Sequence, residues 1–143
     1  MELNESTHPA QFASSQSMRN VREKNRAGWL ALFAEDAVVQ DPVGVSPLDP
    51  AGNGHRGHEA IGRFWDMVIA PGETVMRVRE SYPSGNECAN VVTLTNRMPG
   101  GIEIAVDTVI VYRVDERGKL VSLKAYWDFA QVASHLEAAL RPR

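Results

Sequence analysis

The chain has 143 residues, of which 43% are hydrophobic and 23% charged, the size and make-up of one globular domain that can bury a core without disulfides. A formal net charge of −3, with the basic residues scattered, excludes the basic face that nucleic acid or an anionic membrane requires. Cys88 is the single cysteine, so an intrachain disulfide and a cysteine-rich metal site are excluded, and no window approaches an apolar membrane span.

Residues 1–10 carry two acids and no apolar run; they read as a mobile lead-in rather than a signal peptide, which makes the cytoplasm the expected location. Residues 11–143 read as a single domain. From Pro9 to Glu23, Phe12, Met18 and Val21 give a weakly periodic helix. A stronger helix is expected over Ala27 to Ala34, with Trp29, Leu30 and Phe33 on one face and Asn25 as its N-cap. Ala37 to Gln40 is a β-branched strand that stops at Asp41-Pro42, where proline removes a ladder donor. Gly44 to Gly57 is rich in proline and glycine and reads as a loop, of a length that is often functional. His58 to Ile69 is helical, because Ile61, Phe64, Trp65 and Val68 form one apolar stripe, and Pro71-Gly72 ends it.

Four strands follow, Thr74 to Ser81, Cys88 to Arg97, Ile102 to Asp115 and Lys119 to Phe129, and a last helix runs from Ala130 to Leu140. The links Pro83-Ser84-Gly85, Pro99-Gly100-Gly101 and Asp115-Glu116-Arg117-Gly118 are hairpin chemistry, so the strands are antiparallel neighbours. The order predicts an α+β fold, a curved antiparallel sheet with helices over its concave face, enclosing a cone-shaped cavity suited to a small apolar ligand.

Asp41 ends an apolar strand beside Val38 and Val39, and a carboxylate held among apolar groups gains basicity. A general base and a plain turn-capping Asp are both open on composition. His55 and His58 have a metal-like spacing, but no third ligand is evident, so exposed loop histidines are expected and no metal or cofactor is assigned. No P-loop, dinucleotide-binding turn or Ser/His/Asp order is present.

The segment from Leu32 through Asp41-Pro42-Val43-Gly44 resembles the helix-to-strand passage of bacterial ketosteroid isomerases. Gly57-His58-Glu59-Ala60-Ile61 with Phe64-Trp65, and Ser122-Leu123-Lys124-Ala125-Tyr126-Trp127, resemble later parts of the same family. The likeness covers roughly residues 12 to 131 and extends to the wider NTF2-like and SnoaL-like cone folds; Gly28-Trp29-Leu30 and the long loop are similar to isomerase-like proteins of actinobacteria. It implies a homodimer, and Asp41 as the general base that moves a proton beside a steroid ketone. It also implies a pocket lined by Phe33, Phe64, Trp65, Trp127, Val21, Val106, Thr108 and Leu123.

Two family positions depart from the pattern. Ser17 falls where the oxyanion-hole tyrosine is expected, and Ile110 where the protonated aspartic acid is expected. Loss of one such donor typically costs about 10²–10³ in rate. Tyr112, two residues beyond Ile110 and so on the same face of a strand, is the candidate replacement; Asp107 has the opposite parity, and Ser17 is a short donor. A steroid isomerase-like activity is therefore expected to be weak or altered. The alternatives are a carrier of a steroid-like or polyketide ligand, a hydrolase or cyclase built on an internal cluster such as Arg97 with Asp107, and a structural protein with a filled core.

Overall fold

The computed structural model describes residues 2–140. Six strands form one sheet in the order β2-β1-β6-β5-β4-β3. The strands are β1 (Phe33–Gln40), β2 (His55–Arg56), β3 (Glu73–Ser84), β4 (Glu87–Arg97), β5 (Glu103–Val114) and β6 (Leu120–Tyr126). Helix α1 (Pro9–Arg22) packs over β3, β4 and β5, while α3 (Gly57–Phe64) packs over β1. Short α2 (Arg26–Leu30) joins the two helices, and α4 (Phe129–Leu140) follows the last strand. No helix among the described residues is long and apolar enough to cross a membrane.

Two of the hairpins turn where the turn residues place them, and β3 to β6 are antiparallel neighbours as the short links require. In the first hairpin, Pro83 and Ser84 still pair with Cys88 and Glu87, so the turn shifts to Gly85-Asn86. One pairing was not legible in those links: β1 lies parallel to β6, with Val39 beside Leu123. That pairing also corrects the second helix. The apolar face of Trp29, Leu30 and Phe33 predicts a helix to Ala34, yet α2 ends at Leu30 and Phe33 already opens β1 opposite Leu120. Leu120 donates its N–H to the Leu32 carbonyl at 2.8 Å, so a tertiary ladder takes the backbone groups a further helical turn would have used.

The expected helix to Ile69 is continuous but changes pitch. After Phe64 the chain makes a π turn over Trp65–Ile69, a form that is rare and concentrated at functional sites. Lys24 Nζ donates to the carbonyls of Ile69, at 2.7 Å, and of Gly72, tying down this end of the helix from the α1–α2 joint. At the N-terminus, Leu3–Glu5 form a 3₁₀ turn against α1, and Leu3 is buried where the sequence reads as a lead-in.

The core is centred on Trp29, which is 2% exposed. Its ring meets Phe33 edge-on at 4.8 Å, Trp65 at 5.3 Å and Phe64 at 6.4 Å. Its indole N–H donates to Ser17 Oγ at 3.0 Å, which satisfies the one polar atom this buried ring carries. Behind the sheet end of α1, Asn90 is fully buried and donates to Ser14 Oγ at 3.0 Å, while its Oδ1 accepts from Ser81 Oγ.

Candidate functional site

Alternation along β5 decides what faces the helices. Ile104, Val106, Thr108, Ile110 and Tyr112 line the concave side, together with Met76 and Leu94 from β3 and β4, and the odd-numbered neighbours face out. The helices and the sheet do not close on one another. Between them lies a cavity of about 410 Å³, within the usual range for small-molecule sites of about 300–1,000 Å³. The filled-core reading fails on this volume.

Asp41 projects into the cavity from the end of β1, and it is the only Asp, Glu, Lys or Arg among the described lining residues. Its backbone place is held by β1–β6 pairing and by Val43, which donates its N–H to the Ala125 carbonyl at 3.0 Å. Trp127 Nε1 donates to Asp41 Oδ1 at 2.6 Å. Burial among apolar groups pushes the Asp41 carboxyl above its ordinary range; the Trp127 hydrogen bond and the nearby His55 ring pull partly back. The environment thus does what the strand-end sequence implies, and it makes a stronger base.

Tyr112 is 1% exposed and faces the same cavity. Burial first, then the negative charge of Asp41, pushes its phenol well above the usual range, so at neutral pH it is a hydroxyl with a proton to donate. Ser17 lies against it on α1 and accepts from Trp29. Tyr112 and Asp41 thus line one cavity, as do Ile110 and Ser17.

Of the other expected lining residues, Val21, Phe64, Val106, Thr108, Leu123 and Trp127 reach the cavity, while Phe33 and Trp65 do not. Those two are spent in the cluster around Trp29, which takes the wall position itself. Trp29 had a legible signal, an aromatic on a helix face, but its share of the wall depends on α2 being cut short. Thr108 lines the cavity with its hydroxyl already donated to the Tyr126 carbonyl at 2.9 Å. The π turn supplies Met67, Val68 and Ile69, and α4 supplies Phe129, Val132 and Leu136, a stripe that the sequence left as a plain terminal helix.

The loop from Gly44 to Gly57 is stapled internally, with Asp49 Oδ2 accepting from the Gly54 N–H at 2.8 Å, and only Leu48 of it reaches the cavity. The expectation of two exposed loop histidines is corrected for His55. It pairs with Val39 across β1–β2, its ring lies tilted against Phe64 at 5.0 Å, and its Nε2 is buried with no hydrogen-bond partner among the described residues. His58 is exposed, but its Nε2 donates to the Phe33 carbonyl at 2.8 Å. No group of three metal-ligating side chains occurs among the described residues.

Asp107 lies on the outer face as its parity requires, accepting from Thr93 at 2.8 Å and facing Arg79 at 3.5 Å. Arg97 is outside as well, paired with Glu103 at 2.7 Å. The internal Arg–Asp cluster that a hydrolase reading needs is not formed by these residues.

Residues 15–123 match the model of the SnoaL-like domain. The chain belongs to the SnoaL-like family. Within this NTF2-like fold, the chain is similar to RV0760c from Mycobacterium tuberculosis, at 37% identity over 87% of this chain and 95% of that one, with a TM-score of 0.83. RV0760c has also been solved in complex with estradiol-17beta-hemisuccinate, and that structure aligns with a TM-score of 0.82. The Δ5-3-ketosteroid isomerase from a Mycobacterium species matches at 36% identity over 87% of this chain and 96% of that one, again with a TM-score of 0.82. The ketosteroid isomerase-like character expected from Asp41-Pro42-Val43-Gly44 is thus shared at the level of fold and family.

Proposed function

We propose that this SnoaL-like protein binds a steroid or similar apolar ketone and moves an allylic proton within it, with Asp41 as the base and Tyr112 as the oxyanion donor. The observation that carries the reading is one carboxylate, with its basicity raised by burial, held at 2.6 Å by Trp127 in a mostly apolar cavity with no other Asp, Glu, Lys or Arg among its described lining residues. A proton taken from the carbon beside the ketone needs that base, and the negative charge that develops on the ketone oxygen needs a donor. Tyr112 retains its proton in this environment and lines the same cavity as Asp41, so it fills the second role where Ser17 and Ile110 do not. Asp41 then returns the proton to the far carbon of the dienolate, so no net proton is gained or lost.

The steroid-bound state of RV0760c and the activity of the Mycobacterium isomerase support a ligand of this class. The same reading takes the protein as a homodimer paired through the outer sheet face, where Val75, Val109 and Tyr126 are exposed. The test is conversion of a β,γ-unsaturated 3-ketosteroid to its conjugated enone, followed by absorbance. Asp41→Asn is expected to abolish turnover while a phenolic steroid still binds, and Tyr112→Phe to lower turnover about 10²-fold. Full turnover by Asp41→Asn would refute the base assignment. Binding of the phenolic steroid with no turnover by the unaltered protein would favour the carrier reading instead, in which Asp41 and Tyr112 hold a ligand oxygen without chemistry.

A further inference from the structure

The cavity is polar at both ends, and the mechanism above uses one of them. Asp41, Tyr112, Ser17 and Trp127 gather at the end near β1 and β6. Moving along β3 and β4, the lining becomes apolar at the cross-strand pair Met76 and Leu94, then polar again at the next inward pair, Thr74 and Asn96.

Strand register places these two ends apart. Val39 lies beside Leu123, and Leu123 pairs with Tyr112, so Asp41, two residues past Val39, stands near the level of Ile110. Asn96 pairs with Ile104. Ile110 lies six residue steps along β5 from Ile104, about 20 Å of extended strand, shortened in space by the bend of the sheet.

Asn96 is left unfinished by the protein. Its Oδ1 is buried with no hydrogen-bond partner among the described residues. A buried acceptor in that state is destabilising, because the water it lost on burial is not replaced by another donor. Gly72 makes the room for it, since a side chain there would begin 2.7 Å from Asn96 Oδ1. A half-turn about the last side-chain bond exchanges the amide oxygen and nitrogen, so a group that both donates and accepts suits it in either placement. A hydroxyl is such a group.

We propose that Asn96, with Thr74 beside it, is a second polar anchor of this cavity, selecting an elongated apolar ring system with a hydroxyl at the end remote from the carbonyl that meets Asp41. The proposal rests on the reading that the Asp41 end receives the ligand's carbonyl, and it adds the requirement at the other end.

The experiment is equilibrium binding of estradiol and its 17-deoxy analogue, whose phenol stands in for the dienolate at Asp41, to the unaltered protein and to Asn96→Leu and Asn96→Ala. The unaltered protein is expected to favour estradiol by about 5- to 10-fold, the worth of one net hydrogen bond. In both variants the ratio of the two affinities is expected to fall to about one, a readout that a general loss of fold would not move. A ratio near one in the unaltered protein, or a preference that survives both substitutions, overturns the second anchor and leaves the Asp41 reading standing. Failure of the unaltered protein to bind either steroid overturns both.

Discussion

Asp41 receives opposing influences from its neighbours, and their balance is what a mutation can read. Burial raises the carboxyl, whereas Trp127 and His55 favour its charged form. Trp127→Phe removes the 2.6 Å donor and keeps an aromatic wall. The Asp41 pKa is then expected to rise further, so the acid limb of the kcat/KM profile moves to higher pH. A limb that stays in place or moves to lower pH would show that the indole does not stabilise the carboxylate. Asp41 was a candidate from a local signal, the proline break at the end of an apolar strand. Trp127 came from the family resemblance, and Tyr112 from that resemblance combined with the two-residue strand period. The place of His55 was not legible, since a histidine in a glycine-rich loop looks exposed until β2 pairs with β1 and turns the ring onto Phe64.

At the scale of elements, the cavity is closed by parts with little packing of their own. Helix α4 packs mainly on β5 and presents Phe129, Val132 and Leu136 to the cavity, and Phe129 in turn meets Trp127 at 6.0 Å. Val132→Asp is expected to weaken binding of a phenolic steroid by at least about tenfold, because a carboxylate facing an apolar ligand is desolvated without a partner. Titration calorimetry measures this, and a thermal melt of the ligand-free protein is expected to move little, since α4 adds little to the core. An unchanged affinity would show that α4 does not cover the ligand. The apolar stripe of α4 was visible in the sequence, but the same stripe serves a helix on a filled core. The end of α2 was misread for a related reason: Phe33 suits the helix face, and only the competing ladder with Leu120 assigns it to a strand.

For the whole molecule, the raised Asp41 pKa is also a stability statement. Between the ordinary carboxylate pKa and the raised one, the folded protein binds more protons than the unfolded chain, so stability from this group falls as pH rises through that window. The cost of holding Asp41 charged is full above the window and absent below it. Asp41→Asn lacks that cost, so its melting temperature is expected to exceed that of the unaltered protein at neutral pH, with the difference shrinking on acidification. Thermal melts of both proteins across pH measure it; a difference independent of pH would show that Asp41 is not held against its solvation.

The sequence by itself determined the α+β class, the antiparallel order of β3 to β6 and the candidacy of Asp41. Each follows from short-range chemistry, namely side-chain period, turn residues and a proline that ends a strand. Only the tertiary structure decided that β1 lies parallel to β6, that Trp29 rather than Phe33 or Trp65 forms the wall, and that Thr74 and Asn96 make a second polar end. Those outcomes depend on which distant segments compete for the same backbone partners and the same volume, and no local pattern records the winner.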